Sequence, residues 1–301
     1  MRAKEGGAMA SESLDAAPRT RRRWRAVVGR AGSAIPIALF LIITFAPIYW
    51  IILSAFTPLS DLFSTPLHYI PAHPSLINFR AAARLVPLEQ QFLNSTVLAV
   101  GSASLSVVVA LLAAYGFARI RFPGSNFLFL GILLSGFLPA IATIIPLFET
   151  FSSLNLVDSM VGLIALVGNL LLPTSIWIMA SFIRQVPIEM EEAAQVDGAG
   201  FPLVLWRIVI PLLRPALATL FLINVITAWD EFFLPLIFSR SAATATLTLG
   251  VTQAAVDPET GAVAWGNEAA VALIVIAPVF TLAMVFQKQI VEGLMAGALK
   301  G

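Results

Sequence analysis

Six apolar stretches, Ala34–Phe56, Ser95–Ala118, Phe127–Phe148, Met160–Ile183, Ala216–Phe238 and Ala269–Phe286, dominate the sequence. Each is close to the ~20 residues a helix needs to cross about 30 Å of hydrocarbon. A bilayer interior offers no outside partner for backbone N–H and C=O groups, so such runs fold as helices. The charged share is 12%, about half that of soluble domains, and 58% of residues are hydrophobic. The sequence therefore predicts an all-α integral membrane protein with six transmembrane helices.

Charge placement orients it. Eight Lys and Arg lie in the N-terminal tail, two at Arg119 and Arg121, three from Arg184 to Arg214 and two near the C-terminus, against Arg80, Arg84 and Arg240 on the opposite side. The positive-inside rule then puts both termini in the cytoplasm. The N-terminal tail, polar and ending in the basic run "RTRRRWR", reads as disordered and attracted to anionic lipid. A signal peptide is a rival reading of the same stretch, but the apolar segment runs to Phe56, well beyond a 7–15-residue h-region, so an uncleaved first span is expected.

Chemistry within the chain is sparse. There is no cysteine, and His68 and His73 lack the spacing that puts two ligands on one helical face. "GAVAWGN", Gly261–Asn267, lacks the lysine that reaches nucleotide phosphates. A net charge of +1 gives no drive toward nucleic acid. A membrane-embedded enzyme has no nucleophile, base or metal set to work with. Prolines at 47, 139, 146, 173, 235 and 278 bend the spans. Such bends either enclose a pathway or fit neighbouring helices together.

One stretch departs from the lipid pattern: "EEAAQVDGAGFPLVLWRIVIPLLRP", Glu191–Pro215. Pro187 suits a helix start, and Glu189, Glu191 and Glu192 place negative charge at the positive end of the helix dipole. Asp197-Gly198 halts this short helix, Pro202 begins a second, and Pro211 and Pro215 redirect the chain into the fifth span. The result is an L-shaped elbow, whose composition alone also permits a simple interfacial helix.

The order of residues in the elbow is specific: Glu192-Ala193-Ala194, three residues, Gly198, nine residues, then Ile208-Val209-Ile210-Pro211. It resembles the EAA loop of ATP-binding-cassette importer permeases, with Ile210 where leucine is commoner. "IPLFETFSSLNLVDSMVGLI", "IWIMASFIRQVP", "AWDEFFLPLIF" and "GLMAGALKG" extend the resemblance to the carbohydrate branch, the maltose-type G subunit. It covers the chain from about Ala34 to the end. The family more often has Trp-Asn-Glu-Phe where this chain reads Trp229-Asp230-Glu231-Phe232.

Three regions are expected: a disordered basic cytoplasmic tail (1–33), read from its composition, and, as the resemblance implies, a six-helix importer permease domain (34–287) and a cytoplasmic C-terminal tail (288–301). The resemblance implies a bacterial or archaeal plasma membrane, a second, F-type permease subunit, two copies of an ATPase subunit, and an extracytoplasmic sugar-binding protein or lipoprotein. ATP and Mg would be handled by the ATPase partners, and this chain binds no cofactor or metal and has no catalytic residue. By the same resemblance the elbow is a coupling helix that docks on the ATPase. Glu192 offers charge-assisted hydrogen bonds, Ala193 and Ala194 allow close approach, Asp197 and Gly198 set the bend, and Pro211 ties the lever to span five. The tail "GLMAGALKG" is expected, by the same resemblance, to reach the ATPase subunits as an extended, close-fitting segment, or else to be a frayed terminus. The segment "SRSAATATLTLGVTQAAVDPETGAVAWGNE" corresponds in position to a binding-protein probe, or is a plain solvent loop.

Asp230 and Glu231 are the only charges inside any apolar span, at a cost of about 2.5–3.5 kcal/mol each near mid-bilayer unless a cavity or partner compensates. On a continuous helix Asn224, Ala228 and Glu231 share one stripe, flanked by Trp229 and Phe232. Amide, carboxylate and aromatic faces suit a sugar, so these line the expected substrate pathway. The competing expectation is that they bond between helices. A secondary transporter or channel is the alternative class, and it needs no coupling elbow.

Overall fold

The computed structural model describes residues 19–66, 68–71, 73–256 and 261–298. Thirteen helices are formed among them. In chain order they are α1 (Arg19–Phe56), α2 (Leu59–Leu62), α3 (Ile77–Leu85), α4 (Leu88–Arg119), α5 (Ser125–Ser135), α6 (Ala140–Ser153), α7 (Met160–Ile183), α8 (Ile188–Val196), α9 (Phe201–Val204), α10 (Ile210–Trp229), α11 (Phe233–Phe238), α12 (Leu247–Ala254) and α13 (Trp265–Ala298). A five-residue π-helical segment, Leu205–Val209, joins α9 to α10.

Residues up to Ile52 form one compact unit and residues from Leu53 a second. In the first, α1 begins at Arg19. The stretch 19–33, expected to be disordered, is therefore helical: it contains no proline, and its arginines and alanines are good helix formers. Residues 1–18 lie outside the described residues.

In the second unit, α4 is the central rod. Its buried positions Ser95, Ala99, Ser102, Ala103, Ser106, Ala110 and Ala114 recur at helical spacing, a stripe of small side chains against which α7 packs most extensively. The approach is close. A Cβ on Gly168 of α7 would stand 2.9 Å from Leu105 Cδ2. α10 runs back along α4, and α13 runs antiparallel to α10, with Trp229 Nε1 donating to Val275 O (3.0 Å) and Thr219 Oγ1 to Gln289 O (3.2 Å).

Two apolar clusters fill the bundle. One, around Leu98, Leu163, Trp229, Phe238 and Leu247, lies toward α12; the other, around Tyr115, Met179, Ile183, Val204 and Leu213, lies toward α8. Between them sits a buried polar bridge: Asn224 Nδ2 donates to Ser175 Oγ (3.0 Å), and Ser106 Oγ bonds Ser175 Oγ (3.1 Å).

Five helices among the described residues are long and apolar enough to cross a membrane. The third expected span, Phe127–Phe148, is not one rod. It is broken into α5 and α6 by Gly136–Pro139, since Pro139 pushes the preceding residue out of the helical region. The fifth expected span, Ala216–Phe238, also differs. Its helix is continuous from Phe201 through the π segment to Trp229, then breaks at Asp230–Phe232. Pro211 and Pro215 thus do not turn the chain. The π register, in which Ile210 N donates to Leu205 O, absorbs the backbone donor that Pro211 lacks.

Two further expectations change. The C-terminal tail is helical to Ala298 rather than extended, with a kink at Phe286 (φ −106°, ψ 16°), and residues 299–301 lie outside the described residues. The segment from Ser239 is no solvent loop, because it forms α12 and buries Thr244, Thr246, Leu247 and Leu249.

Candidate functional site

The elbow is the first candidate. Its helix α8 starts after Pro187 and ends at Asp197, and Gly198 follows in the left-handed conformation (φ +85°). There Gly198 N donates to Gln195 O (3.0 Å) and Ala199 N to Ala194 O (2.9 Å), so the last turn of α8 is closed before the chain reverses into α9. The space around Gly198 is open. Glycine is required by the backbone angle and not by crowding.

Glu192, Ala193, Asp197 and Gly198 are all exposed, and Val196 at the tip is 88% exposed. Ala194 is half-buried and packs inward on the cluster near Ile183. Pro211 sits in the first turn of α10, directly after the π segment. The motif residues therefore divide between an exposed tip and an anchored base.

Glu191, the neighbour of Glu192, has a part that sequence reasoning missed. It is 2% exposed. Arg119, the last residue of α4, pairs with its Oε1 at 2.8 Å, and Tyr115 Oη donates to its Oε2 at 2.6 Å. Arg119 also donates to Val186 O (2.7 Å), just ahead of the elbow.

The second candidate is a cleft of about 710 Å³ where both helix breaks meet. Gly136 and Leu138 from the α5–α6 break, Glu231 and Phe233 from the α10–α11 break, and Asn169 of α7 line it. Irregular backbone at membrane depth is tolerated where it lines a cavity. Glu231 Oε1 accepts from Leu234 N (2.9 Å) and so caps α11 while facing the cleft. Asn169 is exposed there, and its side-chain amide makes no hydrogen bond among the described residues. It was not singled out by sequence, because one amide inside an apolar run carries no spacing signal.

The expected pathway residues separate. Because the helix ends at Trp229, Glu231 leaves the stripe of Asn224 and Ala228. Asn224 is buried in the bridge to Ser175. Trp229 is 6% exposed, packed edge-on to Phe92 (5.4 Å). Asp230 caps the end of α10 and is exposed, and Phe232 is half-buried at the start of α11.

A third constellation fastens the segment around α12. Asp158 Oδ1 accepts from Arg240 N (3.0 Å), Ser241 N (3.1 Å) and Thr244 Oγ1, and those bonds lower its pKa to about 2, the Thr244 hydroxyl contributing most. From α4, Asn94 Nδ2 donates to Ala245 O (2.8 Å) and Ser95 Oγ accepts from Leu247 N (2.8 Å).

The sequence profile of the binding-protein-dependent transport system inner membrane component family matches residues 106–295, taking in the elbow, both helix breaks and the α12 segment. The chain belongs to this family. The permease is 31% identical to the sulfoquinovosyl glycerol transport system permease protein of Agrobacterium fabrum, over 89% of this chain and 93% of that one. It is 29% identical to the trehalose transport system permease protein of Mycobacterium tuberculosis, over 85% and 92%. A similar fold is seen in a chain of a bacterial ABC transporter involved in the import of the acidic polysaccharide alginate, with a TM-score of 0.75 at 21% identity, covering 90% of this permease and 98% of that chain. The permease is thus a multi-pass membrane component of an ABC-type transport system.

Proposed function

We propose that the permease forms half of the translocation pathway of an ATP-driven importer of sugars or polyols, and that the elbow couples this pathway to separate ATPase subunits. The observation that carries the reading is the elbow itself: an exposed tip with Glu192, Ala193 and Val196, closed by a left-handed Gly198 and anchored at its base to the bundle. A carrier driven by an ion gradient has no use for such a projection. The hydroxyl-rich cargoes named for the two relatives support the substrate class. The cleft supports it too, since Glu231 and Asn169 offer acceptor and amide groups to hydroxyls in an otherwise apolar wall.

In this reading a second, F-type permease subunit completes the pathway, two ATPase copies bind and hydrolyse ATP with Mg, and an extracytoplasmic binding protein delivers cargo. The permease itself catalyses no reaction. It lies in the plasma membrane with both termini cytoplasmic, as the distribution of Lys and Arg favours. The sixth crossing is made by α5 and α6 together, at about 1.5 Å rise per residue each too short alone.

Reconstituting the permease with its partners and assaying uptake of trehalose and related glycosides tests this. Uptake is expected to stop when the ATPase subunits carry an inactivating substitution. Uptake that persists on an ion gradient alone contradicts the reading.

A further inference from the structure

We propose that Tyr115, Arg119 and Glu191 form a clasp that makes α4, and not only α10, a transmission rod between the elbow and the opposite end of the bundle. The inference rests on the coupling role of the elbow proposed above, and adds the residues and the helix through which the movement travels.

Tyr115 and Arg119 stand one turn apart at the end of α4 and touch the elbow at three points. Arg119 Nη2 donates to Val186 O (2.7 Å), where the chain enters. Arg119 Nε donates to Glu191 Oε1 (2.8 Å) and Tyr115 Oη to Glu191 Oε2 (2.6 Å), on the first arm. The Tyr115 ring meets Phe201 edge-on at 5.2 Å, at the start of the second arm. Entry, first arm and second arm are thus all fixed to the last turn of one helix. Both oxygens of Glu191 are engaged, and its side chain is only 3% exposed. Such a carboxylate is held in one place, whereas Glu192 beside it is left exposed.

The rest of α4 suits a rod. Its 32 residues span about 48 Å at the usual rise. Of the five membrane-length helices it alone contains no proline. At its far end Asn94 and Ser95 hold the backbone of the α12 segment, and Gln91 Nε2 donates to Gln253 Oε1 (2.8 Å). By contrast, the route through α10 passes a π segment and two prolines, Pro211 and Pro215, before it reaches Trp229. A push on α8 therefore has a stiffer path along α4, and so does a load applied at α12. Within this path Glu191 is a positioning residue: it holds the lever and leaves docking to Glu192.

The test uses the assembled transporter, with second permease and ATPase subunits, in proteoliposomes. It compares ATP hydrolysis with and without the cognate binding protein, a ratio that reports transmission between the two ends independently of cargo. Glu191→Gln keeps size but removes the charge and turns one of the two acceptor oxygens into an amide donor, and Tyr115→Phe removes one oxygen. Both are expected to co-purify with the ATPase at wild-type yield and to keep basal hydrolysis. Stimulation by the binding protein is expected to fall by about tenfold for Glu191→Gln, within the range of coupling energies between distant sites, and in the same direction but less for Tyr115→Phe. Unchanged stimulation in assembled Glu191→Gln overturns the clasp. So does a loss that merely follows dissociation of the ATPase in both variants. Uptake by the unaltered transporter without hydrolysis would instead sink the importer reading, a separate outcome read from the inactive-ATPase control.

Discussion

At the scale of single residues, the elbow shows what a sequence carries and what it withholds. Gly198 was legible, because Asp-Gly after a short acidic helix marks a left-handed stop, and the chain does turn there. Its conformational cost can be isolated. Gly198→Ala is expected to destabilise by about 1–2 kcal/mol, the penalty of left-handed backbone for a residue with Cβ, whereas Gly200→Ala (φ −73°, nearest neighbour Pro202 Cδ at 3.8 Å) is expected to be near neutral. Thermal unfolding of the two detergent-solubilised variants makes the comparison, and equal losses would show that the backbone angle at Gly198 is not what matters. The division of labour between Glu191 and Glu192 was not legible. Adjacent glutamates have the same local chemistry, and only the fold, by bringing Arg119 from 72 positions away, decides which one is buried.

At the scale of elements, the apolar runs located four spans well and misdrew two. Gly136–Pro139 still contains Phe137 and Leu138, so α5 and α6 read as one apolar run, and Asp230 and Glu231 read as charges within a span rather than as its end, so α10 and α11 did likewise. Both breaks line the same cleft, a relation that no one-dimensional pattern contains. The α12 segment was left undecided between a probe and a solvent loop for a different reason. Its own residues are bland, and the groups that hold it, Asp158, Asn94 and Ser95, lie on other elements. This attachment predicts a pH dependence. The folded pKa of Asp158 is about 2 against 3.8 for a free carboxyl, so its contribution is present above pH 3.8 and is lost as pH falls toward 2. Amide exchange at Arg240 and Ser241, corrected for intrinsic rates, should lose protection across that window. Asp158→Asn should be less protected at neutral pH and flat below it. Identical profiles for the two proteins would remove Asp158 from the attachment.

At the scale of the whole molecule, the unit that begins at Leu53 is a bundle with a lever at one end, a pinned segment at the other, and a cleft between helix breaks. A buried polar bridge and a seam of small residues hold its helices in close register, which lets a displacement at one end reach the other as a rigid-body shift. The central claim is that the exposed tip of α8 bears against an ATPase. The chain contains no native cysteine, so a single Val196→Cys reporter is unambiguous. Cross-linking this cysteine in the assembled transporter is expected to yield a permease–ATPase adduct in nucleotide-free, ATP-bound and ADP-bound states. No adduct in any of these states, with the ATPase still co-purifying, would contradict the account.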